Sequence, residues 1–186
     1  MADRTVLIIM DFQHGIVERF EDKSVVAAAN RAAAAARAAD VPVIWVRVAF
    51  RPGYPEVADT NATFAGATAS AGESLHEDHP ASQVHAALEP AKGEPIVVKR
   101  RVSAFTGSDL DVLLRAAGAE RIVLAGIATS GVVLSTVRQA ADLDYRITVL
   151  SDACADADPE VHRVLIEKVF PRQALVCSAN EWIESL

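Results

Sequence analysis

Residues 5–10, TVLIIM, form an unbroken apolar run after Thr5. Side chains on a strand alternate between its two faces, so such a run must be covered on both sides. Short runs of the same kind recur: VPVIWVRV at 41–48, PIVVK at 95–99, IVLA at 122–125, RITVL at 146–150 and ALVC at 174–177. Between them lie segments that predict helices: the alanine-rich 24–39, then 106–118, 132–142 and 158–170. Thr106 or Ser108 can cap the second and Gly118 can stop it; Asp158-Pro159 opens the last. Strands that alternate with helices pair in parallel through right-handed crossovers. The pattern predicts a doubly wound α/β layer fold with six strands. Residues 51–72 carry Pro52, Gly53, Pro55, Gly66 and Gly72 without periodicity, which predicts a long loop, followed by a polar stretch at 74–85.

The chain of 186 residues suits one domain spanning 1–186, and a hydrophobic content of 51% argues against disorder. A net charge of −7 with no basic run makes nucleic acid and anionic membrane poor partners. The start of the chain has too few apolar residues before Asp11 for a signal-peptide core, which needs roughly 7–15. No segment approaches the ~20 apolar residues of a membrane span. Cys154 and Cys177 make neither a disulfide framework nor a metal knuckle, so a cytoplasmic setting is expected. The sequence has no GxGxxG and no GxxxxGK[ST], so no nucleotide cofactor is expected.

Ligands of such folds bind beyond the C-terminal ends of the strands, and several reactive side chains fall there. Asp11 follows the first strand, as a cleft carboxylate or as a turn residue. Lys99 ends the third, poised at the same edge or snorkelling into solvent. An acid and an ammonium in one cleft can set each other's pKa and share proton transfer. Residues 126–131 form a small-residue turn before a helix, where backbone N–H groups can hold an anion. Thr129 and Ser130 are hydroxyls in that turn, without a histidine close in sequence. Val132, at the helix start, can do no chemistry. Cys154 lies just past the fifth strand, as an edge thiol or a small buried hydrophobe; Cys177 reads as core. Arg47 and Arg51 could hold a substrate carboxylate bidentately. His76, His79 and His85 match no strong metal spacing, and a solvated turn is expected there instead of a metal site.

Four motifs, MDFQ at Asp11, KRRVSAF after Lys99, GIATSGVVLST from Gly126 and SDACAD from Ser151, resemble the isochorismatase-like hydrolases, the cysteine hydrolase superfamily. The resemblance covers nearly the whole chain. It implies a Rossmann-like six-stranded parallel sheet, assembly into homodimers or homotetramers, and a small-molecule substrate. In the amidases of the family an Asp, a Lys and a Cys form the catalytic triad. The first two fall on Asp11 and Lys99, and the cysteine falls on Val132. A thiol nucleophile at that position is thereby excluded. The resemblance further places Phe12, Gln13, Arg47, Phe105, Ala128, Thr129 and Ser130 around the substrate and implies a cis peptide at Ala128–Thr129. The zinc ligands of nicotinamidases have no counterpart in VRVAFRPGYPE.

Two functions follow from the resemblance. One is a hydrolase without a cysteine nucleophile, which acts on an enol ether or amide of a small polar metabolite with Asp11 and Lys99 as its acid/base pair. The other is a catalytically inactive homologue that keeps the cleft for a ligand or a partner. A third route has Cys154 or Ser130 replace the lost nucleophile.

Overall fold

The computed structural model describes residues 4–20 and 23–186. Six strands form one all-parallel sheet: β1 (Thr5–Met10), β2 (Val43–Val48), β3 (Ile96–Lys99), β4 (Arg121–Ile127), β5 (Arg146–Ala155) and β6 (Leu175–Cys177). Their order is β3-β2-β1-β4-β5-β6. From β1 the chain winds outward to β3, then returns to lay β4 on the other side of β1. That reversal opens a crevice beyond the ends of β1 and β4, where doubly wound sheets bind their ligands.

The apolar run of β1 divides between two cores as its alternation requires. Val6, Ile8 and Met10 pack with α4 (Leu110–Ala116) and α5 (Leu134–Asp142). Leu7 and Ile9 pack on the opposite face, against α2 (Ser24–Ala38) and α7 (Ala179–Glu184). After Val25 and Val26, the face that α2 buries is all alanine: Ala28, Ala29, Ala32, Ala33 and Ala36. These short side chains let the helix lie close to the sheet while helix propensity stays high. Helix α7, absent from the sequence expectation, is held by a capping box between Ser178 and Glu181. Among the described residues no helix is long and apolar enough to cross a membrane.

Several boundaries differ from the sequence reading. The expected loop at 51–72 contains α3 (Ala62–Ala71), capped by the Asn61 side chain on the Phe64 N–H. Only Phe64 of this helix is buried, so its sequence has no amphipathic signal to find. The helix expected over 106–118 is confined to α4. Ser108 sits in the turn before it, donating to the Ala104 carbonyl and accepting the N–H of Leu110, the first helical residue, at 3.3 Å. The fifth strand runs on through Ser151–Ala155 after a register shift between Leu124 and Gly126, so Cys154 lies inside β5 and not beyond it. The last long helix breaks into α6 (Pro159–Val164), a π turn (Leu165–Val169) and a 3-10 turn ending at Arg172. Cys177, expected in the core, is half-buried because β6 is the sheet edge.

Close approach at the crevice depends on Gly126. A Cβ there would stand 2.9 Å from Val133 Cγ2 and 3.3 Å from Met10 Cβ. Gly126→Ala is expected to destabilise the fold by about 1–3 kcal/mol, the usual cost of overpacking, as read from urea unfolding midpoints.

Candidate active site

Asp11 follows β1 in the left-handed region (φ 59°), which aspartate tolerates better than most residues. Its N–H donates to the Val46 carbonyl at 2.8 Å, so the turn is tied to β2. Lys99, at the end of edge strand β3, lies two strands away, about 10 Å by strand spacing. Its four-carbon stem crosses that gap, and Nζ sits 3.0 Å from Asp11 Oδ2. Lys99 is only 2% exposed. Nζ also donates to the carbonyls of Arg101 (2.9 Å) and Val102 (3.0 Å). All three ammonium donors are therefore engaged. Asp11 Oδ1, by contrast, is buried without a hydrogen-bond partner. Burial pushes the Asp11 carboxyl above its usual range, and the Lys99 charge pulls it part of the way back.

The other wall is the turn after β4. A cis peptide joins Ile127 to Ala128, one peptide earlier than the resemblance implied, directly where β4 pairing ends. A π turn (Thr129–Val133) then leads into α5, in place of the α-helix expected from Val132. Thr129 Oγ1 lies 2.8 Å from His162 Nδ1, and the Ser130 N–H donates to Asp156 Oδ2 at 2.7 Å. Burial lowers the pKa of His162, and the nearby Asp156 charge opposes this. Between the two walls lies a cavity of about 690 Å³, lined by Asp11, Lys99, Ala128, Gly131 and Val132 and closed by Ile16, Phe20 and Phe64. No cysteine is among its lining residues.

An isochorismatase domain model matches residues 5–181. The chain belongs to the isochorismatase family. It is 33% identical to the uncharacterized isochorismatase family protein YecD of Escherichia coli O157:H7, over 100% of this chain and 97% of that protein. It is 33% identical to the ureidoacrylate amidohydrolase RutB of Pseudomonas syringae, over 84% of this chain and 72% of that one. The solved structure of an isochorismatase family protein from Burkholderia thailandensis superposes with a TM-score of 0.87 at 30% identity, covering 100% and 97% of the two chains.

Within this isochorismatase-family crevice, Asp11, Lys99, Val132 and Ala128 meet at one cavity, but the other residues expected near a substrate do not line it. Gln13 is a strut: its Nε2 donates to the carbonyls of Val48 and Ser82, and its Oε1 accepts from the Val48 N–H, each at 2.8 Å. Phe12 and Phe105 are buried in the two cores, and Phe105 stacks on Tyr145. Arg47 turns away to the Glu77 carbonyl at 3.0 Å and to Ser82. Thr129 is fully buried, and Ser130 faces solvent. The Cys154 thiol is pushed up to about 12 by burial, so it stays protonated and is no nucleophile. His79 and His85 accept turn N–H groups from Ala81 and Ala87.

Sequence reasoning missed Arg19, Phe20, Thr63, Phe64 and Asp156 on the cavity wall, and His162 behind it. Asp156 was within reach, since it closes the SDACAD motif at the end of β5. Arg19 and Phe20 follow a four-residue helix, Thr63 and Phe64 lie in α3 with no apolar period, and His162 lies in α6.

The buried pair yields a stability prediction. Asp11 holds its proton more tightly folded than unfolded. Its contribution to stability is therefore full below the ordinary carboxylate range and is lost as pH rises through its raised folded value. Lys99→Met removes the opposing charge and raises that value further. The variant is expected to lose about 3–5 kcal/mol near pH 8 and to recover part of this near pH 5. Urea unfolding at the two pH values checks it.

Proposed function

We propose that the protein hydrolyses a small polar metabolite without a covalent enzyme intermediate, and that an enol ether suits its site better than an amide. The observation that carries this reading is the buried, unpartnered Oδ1 of Asp11, a residue that lines a cavity without a thiol. Burial favours the protonated carboxyl, the form in which Asp11 can serve as a general acid. The alkene π pair takes the proton from Asp11 and forms a new C–H bond, which leaves an oxocarbenium ion. Lys99, 3.0 Å from Oδ2, stabilises the carboxylate left behind. Water then adds to the oxygen-bearing carbon and returns a proton to Asp11. The resulting hemiketal breaks its C–O bond to give a carbonyl compound and an alcohol. Amide hydrolysis of the kind for which the RutB relative is named would need the nucleophile that Val132 lacks.

Purified protein is expected to turn over at least one member of a vinyl-ether panel, with activity falling as pH rises through the raised Asp11 pKa. Asp11→Asn should lower kcat/KM by about 10²–10⁴-fold, the usual worth of a general acid. Silence of the wild type across vinyl ethers and amides would overturn the proposal. It would favour the second reading, a ligand-binding homologue, to which the inert Val132 lends support.

Val132→Cys supplies the missing sulfur where a helix start lowers thiol pKa. That variant is expected to be alkylated by iodoacetamide faster than Cys154 of the wild type, as followed by intact mass. It should also gain amide hydrolysis above the wild-type baseline.

A further inference from the structure

The cavity has one cationic side chain with no work assigned to it. Arg19, just after α1 (His14–Val17), is exposed and lines the cavity with Asp11 and Lys99. Its guanidinium has no hydrogen-bond or ion-pair partner among the described residues. The arginines nearby in the fold are all occupied. Arg47 is held by the Glu77 carbonyl and by Ser82, Arg51 by Glu56, Arg100 by Glu77, and Arg101 by the Glu56 carbonyl. Lys99 has no donor left for a ligand either, since Asp11 and two carbonyls take all three.

We infer that Arg19 is a specificity-determining residue that grips a carboxylate on the substrate, so that the site selects small monocarboxylates over neutral compounds. The inference rests on the reading of this cavity as the substrate site. A guanidinium with free donors presents a planar fork that matches a carboxylate in two hydrogen bonds. Phosphate would match the fork as well, but Asp156 puts a second carboxylate on the cavity lining. Its repulsion weighs more heavily on a dianion than on a monoanion. The apolar walls of Phe20, Phe64 and Val132 suit a hydrocarbon body between the charged end and the reacting bond. Arg19 acts at a distance from Asp11 and positions the substrate without taking part in proton transfer.

Calorimetric titration of the full chain with benzoate, benzamide and phenyl phosphate tests this without requiring turnover. Benzoate and benzamide share size and shape and differ in charge. Wild type is expected to bind benzoate about tenfold more tightly than benzamide, and phenyl phosphate no more tightly than benzoate. Arg19 is exposed and holds no other group among the described residues, so Arg19→Gln should fold normally. It should keep its benzamide affinity and bind the two probes equally. Equal affinities in the wild type, or a benzoate preference that survives Arg19→Gln, would overturn the role of Arg19. Tighter binding of phenyl phosphate would overturn the assignment to carboxylates. A protein that hydrolyses nothing but shows the charge preference refutes only the proposed activity. An active hydrolase without the preference refutes only this inference.

Discussion

The ion pair between Lys99 and Asp11 is the contact on which the rest of the site depends. It joins the last residue of an edge strand to the first residue past a central one, across the whole width of β2. Only a long, flexible, singly charged side chain can make that reach while its head stays compact enough to meet a carboxylate and two carbonyls at once. Burying both charges is expensive, and an apolar pair of the same volume would often serve stability as well or better. The pair is therefore poor as a stabilising device. Its geometric consequence is that one carboxyl oxygen of Asp11 is anchored while the other is buried without a partner, in a residue that lines the cavity.

The anchoring shell extends this logic. The Asp11 N–H is tied to Val46, and the Gln13 side chain is locked on both of its ends to Val48 and Ser82. The ends of β1 and β2 thus cannot drift apart without breaking several buried hydrogen bonds. On the opposite wall, Gly126 admits Val133 and Met10 at contact distance, and Asp156 and His162 hold the π turn from behind. The cavity is assembled by two strand ends and a turn, held partly by groups outside its lining, such as Gln13 and His162, and partly by lining residues, Val48 and Asp156. The arrangement holds the Asp11 carboxyl in a fixed position.

Much of this was legible in the residue pattern. TVLIIM had to be covered on both faces, and it is, by two separate cores. Asp11 and Lys99 were picked out by their places at strand ends, because parallel topology brings all such ends to one edge. Val132 was picked out because it is inert where the chain turns into a helix. The pattern failed where burial is not periodic. Helix α3 buries only Phe64 and left no amphipathic trace, so it read as loop. The bulge in β5 put Cys154 inside the strand opposite Gly126, which sequence alone cannot count.

Placement of the polar side chains divides along the same line. The sequence by itself determined the layered fold and the edge at which chemistry can occur, since apolar runs and their alternation with helices depend only on local order. It could not decide which way Arg47, Gln13 and Arg19 turn. Each lies near the crevice in the chain, yet two are drawn off by carbonyls of a loop thirty to seventy residues away, while Arg19 meets no such group among the described residues. A hydrogen-bonding side chain goes where unsatisfied partners are buried, and those partners come together only when the tertiary structure has formed.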